Sequence, residues 1–208
     1  MKNIFNLLLI FGLITNLQAQ KRESYFPIWT FHHPNSITNG ISIGIASGME
    51  NTKNTKSNGV RVEIIGAGLL IPLISGPMMR DDSITEKING INLSFTGTLA
   101  NCKVNGISVG YVGESIYKVN GISATGCLNY VGISNGLQCA VLVNDNDEMK
   151  GMQVAFINNS VTTKGIQIGV FNFSKDLRGI QLGLWNKNGK RSLPIVNWQF
   201  KKCTDIEL

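Results

Sequence analysis

The chain has 208 residues, of which 43% are apolar and 15% charged, and its formal net charge is +6. This length indicates one domain, and the high apolar fraction with few charges excludes a disordered chain. Glycine and asparagine each occur 23 times, and because both residue types favour turns over helices, a helical bundle is not expected.

Residues 1–19 have the organisation of a secretory signal peptide. Lys2 supplies a positive charge, residues 4–14 are apolar except for Asn6, and Ala19 precedes the expected cleavage site. The apolar run is shorter than the roughly 20 residues that a transmembrane helix requires. We therefore expect an exported protein of the periplasm, the outer membrane or the cell surface. For such a protein nucleic acid is not an expected partner, despite the positive charge.

The remainder of the chain, residues 20–208, is interpreted as a single β-repeat domain. Its start is aromatic and lacks the repeat, as is usual for a segment that covers the open end of a repeat array. In chain order we expect an N-terminal cap (20–36), the first repeats (37–66), an apolar insertion (67–87), the regular repeats (88–200) and a tail (201–208).

Each repeat begins with a glycine that follows Asn, Lys or Arg, and in the regular region successive glycines are 14 to 16 residues apart. The first, third and fifth residues after the glycine are apolar, the second is polar and the fourth is small. A period of two is typical of a β-strand, so each copy predicts one strand of about seven residues and a polar connection of similar length. The repeat glycines are Gly40, Gly59, Gly90, Gly106, Gly121, Gly136, Gly151, Gly165 and Gly179.

One architecture that accommodates this repeat is a parallel β-solenoid. Each copy is then one coil, the apolar positions one, three and five line the interior, and identical positions stack about 4.8 Å apart. Asn158, Asn172 and Asn186 would form a ladder at one corner, and the Asn-Gly or Lys-Gly pairs would form another. The connections contain few apolar residues to fill the opposite wall. The main candidates are Val104, Val119, Met149 and Leu177.

The alternative is an antiparallel up-and-down β-barrel of the outer-membrane type, with the apolar positions facing lipid. The pair Asn188-Gly189 suits a tight hairpin in such a fold. Outer-membrane barrels alternate long loops with short turns, whereas the repeat spacing here is nearly constant. The sequence therefore favours an all-β fold of the parallel β-solenoid type.

The last units carry a resemblance to a known class of proteins. The units GIQIGVFN from Gly165 and GIQLGLWN from Gly179, followed by SLPIVNW from Ser192, resemble exported bacterial surface-repeat proteins with tandem Gly-Ile/Leu-Gln-Ile/Leu-Gly-Leu-x-Asn units. The resemblance covers residues 36–200 and is most specific in the last three units. It implies an exported envelope or surface protein, and it implies no activity and no catalytic residue.

The sequence contains no recognisable catalytic or cofactor-binding motif. His32 and His33 are the only histidines, and neighbours on a strand point to opposite faces, so they do not predict a shared metal site. The oxygen-rich run from Asn144 to Glu148 lacks the glycine and the distant glutamate of a calcium loop, and we interpret it as a solvated turn. We expect neither a cofactor nor a metal. The four cysteines are interpreted as small buried side chains: Cys102, Cys127, Cys139 and Cys203.

Six basic residues lie at fixed distances before repeat glycines. Three precede their glycine by three residues, and three precede it by one residue. In a solenoid they would stack near one corner as a basic stripe, which would attract anionic ligands such as acidic glycans or lipid phosphates. Membrane association is compatible with such a stripe. The residues are Lys87, Lys103, Lys118, Lys150, Lys164 and Arg178.

These features predict a non-enzymatic exported envelope or surface repeat protein with a structural or ligand-binding role. The first alternative is an outer-membrane β-barrel protein, which follows from the second architecture. The second alternative is a secreted glycan-processing enzyme, which would need carboxylates that converge in one pocket. The sequence does not name a partner.

Overall fold

The computed structural model describes residues 22–30, 34–45, 54–73 and 84–201 of the chain. The predicted signal peptide, the two histidines and the last of the four cysteines lie outside the described residues. The described part is almost entirely β-structure, with one 3₁₀ helix at Ala67–Leu73. Its twelve strands are β1 Glu23–Tyr25, β2 Ile28–Thr30, β3 Ser36–Gly44, β4 Thr55–Glu63, β5 Glu86–Ser94, β6 Leu99–Gly110, β7 Gly113–Thr125, β8 Leu128–Ala140, β9 Val143–Val154, β10 Ile157–Ile168, β11 Phe171–Asn188 and β12 Ser192–Gln199.

The strands form one sheet in which β3 to β12 follow one another in chain order. From β3 to β11 every neighbouring pair is parallel, and each repeat glycine lies opposite the next, for example Gly136 opposite Gly151. Stacked parallel strands in this register are the arrangement of a β-solenoid, and not of the alternative antiparallel architecture. The favoured fold prediction is therefore confirmed.

Each coil has two walls, because the strands are longer than the sequence pattern predicts. Strands β6 to β10 have 12 or 13 residues, so the segments interpreted as polar connections are themselves strands. In each coil, we call the strand residues before the repeat glycine the pre-glycine wall and the strand residues after it the post-glycine wall. The run Asn144–Glu148 lies within β9, so its interpretation as a solvated turn was wrong. At the bend, Gly136 has a φ of 134°, and a Cβ there would clash with the carbonyl oxygen of Gly121 on the neighbouring coil.

The post-glycine wall faces the opposite way from the prediction. Ile168 at position three is 37% exposed, whereas Gln167 at position two is fully buried. In all copies the polar position-two residue is buried, and positions one, three and five lie on the outer surface, exposed or half-buried. The prediction that the apolar positions line the interior is therefore wrong. The buried position-two residues are Ser42, Arg61, Asn92, Ser108, Ser123, Gln138, Gln153, Gln167 and Gln181.

Hydrogen bonds between identical side chains explain the polar interior. The side-chain amide of Gln167 donates to Gln153 Oε1 at 2.7 Å, and the amide of Gln181 donates to Gln167 Oε1 at 2.7 Å. Because parallel coils stack about 4.8 Å apart, each amide can donate to one neighbour and accept from the other. Burial of a polar side chain is costly only when its hydrogen bonds are unmet. Alternation of polar and apolar residues with a period of two therefore shows that a strand has two different faces, but it does not show which face is buried.

Two further amide ladders follow the corners, as predicted. Asn158 Nδ2 donates to Asn172 Oδ1 at 2.9 Å, and Asn172 Nδ2 donates to Asn186 Oδ1 at 2.8 Å. The asparagines of the Asn-Gly pairs form the other ladder, in which Asn135 Nδ2 donates to Asn120 Oδ1 at 2.7 Å. The ladders tie neighbouring coils together along the stack, in addition to the backbone hydrogen bonds.

Apolar side chains fill the interior mainly from the pre-glycine wall. The four residues expected to fill this wall are fully buried, which confirms that part of the prediction: Val104, Val119, Met149 and Leu177. One buried cluster consists of Ile88, Ala100, Cys102, Val104, Ile116, Val119 and Val131. Ile71 of the 3₁₀ helix packs with Leu99 in a second cluster, so this helix covers part of the core.

The two ends of the stack differ in strand direction. Strands β1 and β2 both pair in parallel with β3. At the other end the chain turns at Asn188-Gly189, where the Asn188 amide donates to the Arg191 carbonyl at 3.0 Å, and β12 runs antiparallel to β11. The guanidinium of Arg191 lies 4.6 Å from the ring centroid of Trp198 and holds the turn against β12. The hairpin suggested by the Asn-Gly pair is therefore present, as the last turn of a solenoid.

Candidate functional site

The outward side chains of the post-glycine wall form a continuous apolar surface. We call this surface the apolar face and define it as positions one, three and five after each repeat glycine from β3 to β11. The parallel register aligns positions one and three in two rows along the stack. Backbone hydrogen bonds between neighbouring coils, such as that from the Val170 amide to the Phe156 carbonyl at 2.9 Å, align position five in a third row. Strand β12 prolongs the face, because Trp198 lies opposite Ile180 and Val196 lies opposite Leu182.

The apolar face is large and uncharged. Nine strands about 4.8 Å apart give it a length of about 38 Å, and the step from position one to position five gives it a width of about 13 Å. Its outline therefore covers about 500 Å². This is in the upper part of the range of about 300–600 Å² for the largest apolar patch of a typical monomer, and such patches are often functional. No described residue of its three rows carries a charged side chain. A surface of this size without charges is typical of an interaction site.

Row five, which consists of the residues five positions after each repeat glycine, is the most prominent part of the apolar face. Phe95 and Tyr111 are 75% and 76% exposed, and their rings stack with centroids 6.5 Å apart. Beside this pair lies an open groove of about 890 Å³ with an almost entirely apolar lining. Its lining includes Val62, Ile64, Leu93, Val109 and Ala124. The other large exposed side chains of row five are Ile45, Ile64, Val141, Phe156 and Leu184.

The basic residues singled out in the sequence form two separate rows. Lys87 lies opposite Lys103, and Lys103 lies opposite Lys118, in a row on the outer surface of the pre-glycine wall. Lys56 lies opposite Lys87 and extends this row; its position three residues before Gly59 could have identified it in the sequence. We call these four lysines the lysine ladder. The second row is two residues further along the strands and contains Lys150, Lys164 and Arg178.

The two basic rows differ in their charge balance. In the second row, Lys150 Nζ lies 3.5 Å from a carboxylate oxygen of Glu148, and Arg178 Nη2 lies 3.1 Å from one of Asp176. No carboxylate of the described residues forms an ion pair with the lysine ladder. Because like charges about 4.8 Å apart repel each other, an anion beside the lysine ladder would be stabilising.

Both basic rows follow one long edge of the apolar face. The second row lies two residues before position one, about 7 Å along the strand, and the lysine ladder lies four residues before it, about 13 Å. The flexible stem of a lysine can bring its ammonium group toward that edge. The apolar face therefore has basic side chains along one edge, which Glu148 and Asp176 partly balance in the later coils, and row five along the other edge.

A cluster of charged residues, which the sequence reasoning missed, lies inside the early coils. Arg61 Nε lies 2.9 Å from Glu86 Oε1, and Arg61 Nη1 lies 3.6 Å from Glu63 Oε2. Arg61 Nη1 also donates to Asn92 Oδ1 at 2.9 Å. Burial alone would lower the pKa of Arg61, but the carboxylates of Glu86 and Glu63 raise it, so the guanidinium stays charged. The cluster was missed because Glu86 and Asn92 are 25 and 31 residues from Arg61, across coils of unequal length.

Glu114 lies in the same interior and is hydrogen-bonded to serines. Ser108 Oγ donates to Glu114 Oε1 at 2.6 Å. Ser123 Oγ lies 3.0 Å from Glu114 Oε2 and 2.9 Å from Asn129 Oδ1, and its single hydrogen cannot serve both oxygens. A proton on Glu114 that is donated to Ser123 completes the network. Burial raises the pKa of Glu114 to about 7, which agrees with a neutral carboxyl below that pH.

The side chains of these three glutamates lie in the interior, although Glu63 is also among the residues that border the groove beside Phe95 and Tyr111. Glu63, Glu86 and Glu114 are at most 1% exposed, so they present almost no surface to a glycan. Arg61 offsets part of the negative charge of Glu63 and Glu86, and the hydroxyl of Ser108 donates to Glu114.

In the part of the chain that the structure describes, no group of three or more His, Cys, Asp or Glu side chains could hold a metal ion, and no helix is long and apolar enough to cross a bilayer. Cys102, Cys127 and Cys139 are free, and only Cys102 is fully buried. No protein family, no curated protein and no solved structure matches this chain.

Proposed function

We propose that this protein is a non-enzymatic, exported repeat protein of the cell envelope or cell surface, and that it binds through the apolar face. The observation that carries the proposal is the extent of this uncharged face on the outer side of a wall. Burial of about 500 Å² of apolar surface is favourable by about 12 kcal/mol at 25 cal/mol per Å², before the cost of association of about 4–15 kcal/mol is subtracted. A partner that covers the face therefore gains a large driving force for association.

The distribution of side chains also supports a binding role. An ordinary soluble domain buries Ile, Leu, Val and Phe and exposes its amides. On the post-glycine wall this chain buries the amides of Gln153 and Gln167 and exposes large apolar side chains instead. Export is supported by the signal-peptide pattern of residues 1–19 and by the resemblance of the last repeats to exported surface-repeat proteins.

The rival function is a secreted glycan-processing enzyme. Such an enzyme needs two carboxyl groups that flank a substrate in an open cleft. The carboxyl groups that the fold brings together are those of Glu63, Glu86 and Glu114, which are buried and bonded to their neighbours. This arrangement favours a binding protein over an enzyme. Turnover of a cell-wall or glycan substrate that is abolished by Glu114→Gln in a folded variant would overturn the proposal.

Fractionation of cells that produce the full chain tests export and binding together. We expect the protein in the envelope fraction, and a chain without residues 1–19 in the cytoplasm. The variant Phe95→Ser/Tyr111→Ser should be exported but released from the envelope, because it loses the most exposed apolar side chains of the face. The control Lys175→Ser/Lys187→Ser changes two exposed side chains outside the face and should stay bound. Retention of the Phe95/Tyr111 variant at the wild-type level would contradict the proposal.

A further inference from the structure

We propose that the apolar face docks on the surface of an anionic phospholipid bilayer, with the lysine ladder against the lipid phosphates. This inference rests on the proposed function and names the partner of the same face. The attachment is peripheral: the post-glycine wall lies in the headgroup region, and only the edge of the pre-glycine wall that carries the lysine ladder approaches the phosphates. The chemistry of the partner follows from three features of the face.

The first feature is the uneven relief of the face. Along row five, neighbouring coils carry side chains that range from Gly126 to Phe95 and Tyr111, so its height changes from coil to coil. A protein partner would need a surface of complementary shape to pack against such a row. Lipid chains are fluid and fill an irregular apolar surface without such complementarity. A bilayer can therefore cover the whole length of the face.

The second feature is the kind of side chain at the rim of the face. Tyr111 in row five and Trp198 at the β12 end are exposed and combine an apolar ring with a polar group. Tyrosine and tryptophan favour the boundary between lipid and water for this reason. Phe95, stacked on Tyr111, adds an apolar ring that can insert below the headgroups.

The third feature is the lysine ladder along one edge. Four lysines stack in one row, and no carboxylate of the described residues forms an ion pair with them. Each lysine near an anionic membrane surface strengthens binding by a factor of about five. The reach of the lysine stems brings the ammonium groups to the edge that the lipid phosphates would occupy.

A second copy of the chain fits these features less well. Two copies that meet through their apolar faces bring no carboxylate to the lysine ladder, because the described rows of the face contain no acidic residue. Glu148 and Asp176 are already held by Lys150 and Arg178 on the same coils. An anionic bilayer supplies both a hydrocarbon surface for the face and phosphates for the ladder.

Flotation of the processed protein, from Gln20 onward, with lipid vesicles tests the inference. The vesicles contain phosphatidylcholine alone or phosphatidylcholine mixed with phosphatidylglycerol. We expect binding to the mixed vesicles to be at least about 10-fold tighter. It should weaken as salt rises from about 0.1 M to about 1 M, because salt screens the lysines. Equal binding to both vesicles at all salt concentrations would overturn the role of the lysine ladder.

Two variants and one charge-matched control separate the contributions. Lys87→Gln/Lys103→Gln/Lys118→Gln should bind the mixed vesicles about 100-fold more weakly, since three lysines are lost. Phe95→Ser/Tyr111→Ser should lose binding to both kinds of vesicle. The control that loses the same charge elsewhere should bind like the wild type. This control carries Lys175→Gln, Lys187→Gln and Lys190→Gln. The thermal unfolding midpoints of all variants must agree, so that a loss of binding is not a loss of folding.

The outcomes distinguish this inference from the proposed function. One outcome is that the protein binds neither kind of vesicle but forms a dimer, and that Phe95→Ser/Tyr111→Ser dissociates this dimer. This result would exclude the bilayer as the partner but would support the apolar face as the binding surface. Another outcome is that the protein binds no vesicles but needs Phe95 and Tyr111 for retention in the envelope. This result would also exclude the bilayer, and it would indicate a different partner in the envelope. Wild-type behaviour of the Phe95/Tyr111 variant in both assays would overturn the inference and the proposed function together.

Discussion

Replacement of Gln167 by leucine tests whether amide hydrogen bonds hold the interior. The side chain is fully buried, donates to Gln153 Oε1 at 2.7 Å and accepts from Gln181 Nε2 at 2.7 Å. Leucine has a similar size but no polar atoms, so the hydrogen bonds to both neighbours are lost. Gln153 Oε1 still accepts from Ser160 Oγ at 2.9 Å, and Gln181 Nε2 still donates to the Lys187 carbonyl at 3.2 Å. Each lost hydrogen bond costs about 0.5–1.5 kcal/mol, so the loss of unfolding free energy should be about 1–3 kcal/mol.

The matched control is Ile168→Thr, one residue further along the same strand. Ile168 lies on the outer surface, and threonine keeps the β-branched shape that a strand favours. Its substitution should change the unfolding free energy by less than about 1 kcal/mol. Urea unfolding followed by far-ultraviolet circular dichroism gives both free energies, provided that the slopes of the two transitions agree with the wild type.

The comparison refutes the reasoning if the order of the two losses is reversed. A larger loss for Ile168→Thr than for Gln167→Leu would mean that the apolar positions are inside and that the described register is wrong. Two small and equal losses would mean that the amide ladder contributes little to the stability of the solenoid.

Three further variants test the interior and the bend. The folded-state pKa of Glu114 is raised from 4.5 to about 7, so its contribution to stability is full below pH 4.5 and is lost as the pH rises to about 7. Wild-type stability should fall by about 3 kcal/mol over this range, and Glu114→Gln should flatten that part of a stability–pH curve. Arg61→Ala leaves the carboxylates of Glu63 and Glu86 buried without their cation, so urea unfolding should show a loss of about 3–5 kcal/mol. Gly136→Ala forces a Cβ onto the neighbouring coil and should lower the thermal unfolding midpoint strongly or prevent accumulation, whereas a midpoint like that of the wild type would contradict the described bend.

The stack of coils could be predicted because a nearly constant distance between repeat glycines indicates coils of nearly constant length. Equal steps between glycines such as Gly136 and Gly151 leave little choice but identical coils in register, and the corner asparagines at Asn158 and Asn172 follow from the same steps. The orientation of the post-glycine wall could not be derived from alternation, because a polar row is as easily buried as an apolar row when its members bond to each other. The recurrence of glutamine at position two in four successive repeats was the signal, since a solvent-facing position does not require one residue type.

The candidate site was only partly visible in the sequence. The basic residues were identified by their spacing, and their division into two rows follows from their two distances to the glycine once the glycines lie in register, although the sequence analysis treated them as one stripe. The interior cluster of Arg61, Glu63 and Glu86 depends on the unequal early coils, where the step from Gly59 to Gly90 is twice the usual length. The apolar face was present in the sequence as a pattern, but it was assigned to the interior because large apolar side chains are usually buried.

The reversed direction of β12 has a consequence for how the chain behaves toward its own copies. A stack of parallel coils offers at each end a strand edge on which an identical molecule could continue the same ladder, and growth of this kind produces filaments. At one end β12 runs backwards and carries Pro194, which has no amide hydrogen to donate, so the parallel ladder cannot be extended there in register. At the other end β1 and β2 have only three residues each, which leaves a short edge. In the part of the chain that the structure describes, both ends of the stack therefore disfavour continuation of the same parallel ladder by an identical molecule.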